Sequence, residues 1–447
     1  MKESLNCVFI IFLCNLSLSK IVRPFQTQIK LNDSEHFNCT AFSNYVNNML
    51  ISDIELGEPI QRIKTCLSTG FESFQFSDIK SNCDYYYNVS YSSSFINITD
   101  KNQSYSSVVS GNETFYFYTD GNYKNKVKVQ NLTISLSHKI SQSNIKYDFG
   151  YIGLLISYPT GLNNNFIKQL GNLKSQLNFI KNYAWQIKNI NKDNYDLWQL
   201  IIGEYPHEYD SKNFKEKNLI SVLSSNTISW RMSFREIKSD NITLENSKEA
   251  RFEFNNIHMI APEEYRSTIL KTFFNDYIDK KICFEEELSL RFIYCKKDSF
   301  SKEDFEKFPK LKFYEINMNY TFEFNSNDLF IEKNGYYYFF IGFGSSWCFG
   351  LSFLKKYPLI FNHDSKSIYY YNNIIDNENS NSNIFSSISV KWIIVIVIAV
   401  TFLSIGIVVG KYIFNTKRKK KANELDDDYD YKPQNENKEN NEPFGIN

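Results

Sequence analysis

Proline and glycine are sparse in this 447-residue chain, at 9 and 16 residues, which excludes a collagen-like repeat and a Pro/Gly-rich disordered chain. Histidine is sparser still, at 5. His36, His138, His207, His258 and His363 form no HExxH pattern, and His207-Glu208 lacks a second histidine four residues on, so a zinc peptidase of that type is excluded. Surplus charge is missing altogether, since 50 Lys and Arg balance 50 Asp and Glu. A general nucleic-acid binder needs a basic excess to neutralise phosphates, so no nucleic-acid partner is expected. The chain has no Gly-x-Ser-x-Gly elbow and no P-loop, and Gly342-Phe343-Gly344 sits in an apolar context that reads as a turn. No metal and no cofactor is expected.

Aromatic residues, by contrast, are abundant, with 39 Phe and 31 Tyr. Short runs rich in Ile, Val, Phe and Tyr alternate with polar turns at Met49 to Leu56, Ile63 to Leu67, Phe115 to Tyr118, Val127 to Leu136, Trp198 to Ile202, Thr227 to Phe234, Leu311 to Ile316, Tyr336 to Phe343 and Ser367 to Tyr371. Runs of this length and composition predict strands. Apolar spacings of three and four predict helix over Asn165 to Ile180 and Pro262 to Tyr277. The expected class is mainly β with minor helix.

Both ends carry targeting features. Lys2, an apolar run from Val8 to Leu13 and small residues before Lys20 form the pattern of a secretory signal, expected over residues 1–19. Trp392 to Gly410 supplies 19 residues, roughly 28 Å of helix at ~1.5 Å per residue, enough to cross a bilayer core. The basic cluster Lys417, Arg418, Lys419, Lys420 and Lys421 then places the tail in the cytoplasm. A polar tail running on to Asn447 argues against a glycolipid anchor. The expected order is a polar stalk over 376–391, a transmembrane helix over 392–413 and a cytoplasmic tail over 414–447. The membrane is thus an expected partner, in the secretory pathway, at the cell surface or in the endolysosomal system, with the ectodomain lumenal or extracellular.

In that oxidising setting cysteines pair. Signal removal leaves Cys39, Cys66, Cys83, Cys283, Cys295 and Cys348, enough for as many as three bridges, and the nearest pair, Cys283 with Cys295, is the expected disulfide. Asn-x-Ser/Thr sequons at Asn32, Asn38, Asn88, Asn97, Asn102, Asn112, Asn131, Asn241 and Asn319 are candidate glycan acceptors.

Five blocks, in order, resemble the landmarks of the pepsin-like aspartic peptidase family. Met49 to Phe76 is similar to its opening strand, its Gly-x-Pro-x-Gln turn (Gly57, Pro59, Gln61) and its first catalytic loop. Tyr147 to Leu155 resembles the block that closes the first lobe's site, and Leu197 to Pro206 the strand before the interlobe region. Ile228 to Ile237 resembles the strand opening the second lobe, and Trp347 to Tyr371 the closing strands. The resemblance implies a bilobal fold of two β-barrel-like lobes around a cleft, over 46–215 and 216–375 after an N-terminal segment over 20–45.

Each lobe of such a protein supplies one aspartate, in a loop reading hydrophobic-Asp-Thr/Ser-Gly. Here Ser68 stands at the first acid position, before Thr69 and Gly70, and Glu253 at the second, before Phe254 and Asn255. The chemistry needs two carboxylates sharing one proton, one activating water while the other protonates the carbonyl oxygen. An alcohol at Ser68 serves neither role. Glu253 keeps a carboxyl on a longer arm, and Asn255 stands where the family has glycine, as a residue that tolerates left-handed backbone. Losing one acid-base group costs about 10²- to 10⁴-fold. The expected function is that of a membrane-anchored, catalytically inactive ectodomain binding a peptide, glycan or protein ligand. The alternative is a divergent aspartic endopeptidase of the secretory or endolysosomal pathway, using Glu253 with an acid in another register. Asp53, Asp78 and Asp84 lie near the first window without a following Thr/Ser-Gly, and Asp148 belongs to a different block, so each reads as a solvated or turn-forming aspartate. The family's flap falls over Phe95 to Tyr118, where Tyr105 lacks glycine neighbours and sugars on Asn97, Asn102 and Asn112 would hinder entry.

Overall fold

The computed structural model describes residues 20–27, 39–47, 49–69, 74–77, 86–98, 108–137, 150–156, 165–173, 177, 180–191, 195–287 and 291–372. The expected signal, stalk, transmembrane helix and tail lie outside them. Among the described residues no helix is long and apolar enough to cross a membrane.

The described residues are mainly β and form two sheets. Every predicted run holds a strand, and Ser367–Tyr371 keeps its predicted bounds. Two runs differ from expectation. Thr227 to Phe234 becomes strand only at Arg231, because the Asn226 side-chain oxygen accepts the N–H groups of Ile228 (2.8 Å) and Ser229 (3.0 Å) and folds the start into a turn. Tyr336 to Phe343 is two strands, Tyr336–Phe339 and Ile341–Gly344, because Phe340 donates its N–H away to the Leu329 carbonyl at 2.6 Å. Helix over the Pro262 region runs from Glu263 to Asp279 with a π turn at Leu270–Phe274. The Asn165 region yields the shorter helix Phe166–Asn172, capped by the Asn165 side chain accepting the Lys168 N–H at 3.1 Å.

One plan is used twice. In the first sheet Leu50–Leu56 and Gln61–Ser68 form an antiparallel pair, and Gln61–Ser68 runs parallel to Gly150–Gly153. That strand lies antiparallel to Phe74–Ser77, which runs parallel to Lys126–Ser137. In the second sheet Arg231–Ser239 and Ile242–Phe252 pair antiparallel, and Ile242–Phe252 runs parallel to Cys348–Phe349. Cys348–Phe349 lies antiparallel to Met259–Pro262, which runs parallel to Ile341–Gly344. A helix follows each inner strand, Phe166–Asn172 after the first and Leu351–Lys356 after the second. Two antiparallel pairs come next, Ala184–Asn189 with Leu197–Ile202 and Ile360–Asn362 with Ser367–Tyr371, and they join each other through Ala184–Asn189 and Ile360–Asn362. Strands from both sides of residue 215 therefore share the first sheet.

The aromatic excess goes into the core. Trp185 stacks on Phe361 at 4.5 Å and meets Trp230 and Phe254 edge-on at 5.8 Å each, while Phe349 stacks on Phe353 at 4.2 Å. The helix Cys39–Val46, which precedes the first sheet's hairpin, packs on the second sheet instead. Its Phe42 is fully buried, stacked on Tyr338 at 4.6 Å and edge-on to Phe292 at 5.4 Å. Phe42→Ala should therefore lower unfolding free energy by about 3–5 kcal/mol in chemical denaturation without changing the far-ultraviolet dichroism. A loss below about 1 kcal/mol, the size of an ordinary surface effect, would contradict that docking.

Candidate functional site

The first window ends the strand Gln61–Ser68. Ser68 lies opposite Gly153 in the parallel pair, and its carbonyl accepts the Leu154 N–H at 2.8 Å. Ser68 and Thr69 are half-buried, while Gly70 lies outside the described residues. Upstream, the turn at Gly57 to Gln61 is clamped to the loop Tyr87 to Ser94. The Gln61 and Asn88 groups exchange two hydrogen bonds (2.9 and 3.0 Å), and the Ser93 N–H reaches the Glu58 carbonyl at 2.7 Å. Gly57 has φ +84°, a left-handed backbone that suits glycine. Beneath it the buried Glu113 carboxylate accepts from the Tyr87, Ser92 and Ser94 hydroxyls and from the Thr114 N–H.

The second window follows Phe252, whose parallel partner is Phe349, and the Glu253 N–H donates to the Phe349 carbonyl at 3.0 Å. Both Glu253 carboxylate oxygens are engaged. Arg251 Nε lies 2.9 Å from one, and the Asn256 side-chain amide donates to the other at 3.2 Å. Cys348 lies alongside, its thiol pKa pushed up by burial and by the Glu253 charge. Phe254 is fully buried against Trp185 and Phe361, so it is a core residue rather than part of a cleft wall. Asn255 is exposed and does not adopt the left-handed backbone that its type would tolerate. The loop turns without it because the next residues are tied down elsewhere. Asn256 and Ile257 carbonyls accept the N–H groups of Leu351 (2.9 Å) and Ser352 (2.7 Å), and the Ile257 N–H donates to the Val46 carbonyl at 2.8 Å. This crossing needs Gly350, where a Cβ would sit 2.2 Å from the His258 carbonyl oxygen and 2.5 Å from that of Asn256.

The two windows are linked by Trp230, whose indole N–H donates to the Leu154 carbonyl at 2.7 Å, and by the Ile156 N–H, which donates to the Ile228 carbonyl at 2.9 Å. Of the other nearby acids, Asp53 is exposed on Leu50–Leu56, at the strand position opposite Lys64, while Asp78, Asp84 and Asp148 lie outside the described residues. Cys283 and Cys295 are bonded, as expected, across a directly paired position of neighbouring strands. Cys66 and Cys348 are free and buried, the Cys66 thiol pushed up to about 12 by burial. Among the sequons, Asn97, Asn131, Asn241 and Asn319 are exposed, Asn88 and Asn112 are half-buried, and Asn32, Asn38 and Asn102 lie outside the described residues, as does Tyr105. Arg251 is the group that sequence reading missed. Its signal was available, since residues two apart on a strand share a face.

No family model matches the chain, and no curated protein matches it. Among solved structures the crystal structure of basic 7S globulin from soybean is similar, with a TM-score of 0.56 and 10% identity over 81% of this chain and 97% of that chain. At that identity the likeness concerns the fold alone.

Behind the second window His258 is fully buried, with Nδ1 3.1 Å from the Val46 carbonyl oxygen and no partner for Nε2. Burial lowers its pKa to about 4 from 6.5. His363, 1% exposed with neither ring nitrogen partnered, is lowered to about 3 by burial and by Lys168 and Lys366. Above the ordinary imidazole range both are neutral folded and unfolded, and the fold keeps its full stability. As pH falls from 6.5 toward 4 the unfolded chain takes up protons that native His258 refuses, so stability is lost, by roughly 3 kcal/mol for this residue. Denaturant midpoints measured across that window should fall with pH, and less steeply in a folded His258→Gln variant; a flat profile would contradict neutral burial.

Proposed function

We propose that this chain is a pepsin-like ectodomain that does not hydrolyse peptide bonds and instead binds a peptide, glycan or protein ligand. The observation that carries this reading is the engagement of Glu253. Its oxygens already accept from Arg251 and Asn256. A working dyad needs one such oxygen to share a proton with a second carboxylate and another to take the proton of water. The residue at the matching place in the other half of the plan is Ser68, an alcohol without acid-base range near neutrality. The repeated strand plan supports this register, because Ser68 lies opposite Gly153 and Glu253 follows the Phe252 to Phe349 pair, next to Gly350. The likeness to the soybean globulin supports the scaffold. The reading includes a secreted orientation, a single membrane anchor at 392–413 and glycans on the exposed sequons, all supported by sequence pattern.

The purified full-length chain, incubated with an unfolded protein at mildly acidic pH where dichroism shows the fold intact, should give no pepstatin-sensitive cleavage. Cleavage that pepstatin blocks and that Glu253→Gln abolishes would overturn the inactive reading and establish the divergent endopeptidase.

A further inference from the structure

A cavity of about 420 Å³ lies against the strands Ile21–Thr27, Leu50–Leu56 and Gln61–Ser68, and neither Ser68 nor Glu253 is among its lining residues. Its size falls within the range of small-ligand sites, roughly 300–1,000 Å³. Arg23 lines it and is only 6% exposed. Its Nε donates to the Ser52 hydroxyl at 3.0 Å, and its guanidinium carbon lies 5.5 Å from the Tyr118 ring centre. Among the described residues its two terminal NH₂ groups have no hydrogen-bond acceptor and no carboxylate within ion-pair reach. Burial lowers the guanidinium pKa from its ordinary value.

Glu55 and Asp53 offset part of the Arg23 charge from a distance, but neither forms an ion pair with its terminal NH₂ groups. Glu55 spends one oxygen on Arg62 Nε at 3.1 Å and the other on Lys126 Nζ at 2.5 Å. Asp53 is exposed, at the strand position opposite Lys64. Buried donors left without an acceptor are costly, and a planar guanidinium with two free NH₂ groups matches a carboxylate in shape and charge.

We propose that this cavity is a receptor for a carboxylate-bearing ligand, whose anionic group takes the terminal NH₂ groups of Arg23 and whose apolar body rests on Tyr118. This site is independent of the peptidase-like windows. The test titrates the full-length chain calorimetrically with benzoate and with its neutral isostere benzamide. Benzoate should bind saturably and benzamide should not. Arg23→Lys, which loses the planar fork, should weaken benzoate by about 10-fold or more. Asp53→Asn, an exposed change that removes a repelling charge, should tighten it, which keeps the test decisive should the Arg23 variant fail to fold. Equal binding of the two probes, or no effect of Asp53→Asn, would overturn the proposal.

Discussion

The backbone crossing at Gly350 governs how the second half of this molecule is arranged. Residues 256–258 pass so close to Gly350 that no side chain could be accommodated there, and the carbonyls of Asn256 and Ile257 begin the helix Leu351–Lys356 by accepting its first N–H groups. The same short segment receives the helix Cys39–Val46 through the Val46 carbonyl, which accepts from Ile257 and faces His258. Glu253, three residues upstream of Asn256, is thereby held between a strand partner and a side chain of its own loop. Its environment is a consequence of that crossing rather than of any local turn preference.

The windows differ in what the surrounding fold does with them. Around Ser68 the loop keeps small residues and the upstream turn is braced by a dense set of neutral donors on Glu113. Around Glu253 an aromatic residue has moved into the core beneath the loop, and a cation has taken a place beside the carboxylate. Proton sharing between paired acids requires that each carboxylate find its counterpart and little else. The second window is organised around a guanidinium instead, and the two buried neutral imidazoles further set the fold against acid conditions.

Much of the β architecture was legible because buried strands need apolar runs, and this chain marks them with Phe, Tyr, Ile and Val. The strand Ile21–Thr27 went unread, since Arg23 and Pro24 interrupt its apolar pattern; Arg23 is buried on a cavity rather than exposed. The start at Arg231 and the break at Phe340 were illegible for another reason. The first depends on two hydrogen bonds to the Asn226 side chain and the second on one to the Leu329 carbonyl, and such partners do not alter hydrophobic spacing.

Strand-forming composition and the short spacing that brings Cys283 near Cys295 were properties of residue type and order, and the sequence by itself determined them. Tertiary structure alone decided that Phe254 is core, that Arg251 and Asn256 occupy Glu253, that Val46 meets His258 and that Arg23 is buried beside Ser52 on a cavity. The physical reason is that burial and electrostatic partnership depend on which distant segments fold into contact. Residues 212 apart in the chain, such as Val46 and His258, carry no mark of one another until the backbone brings them together.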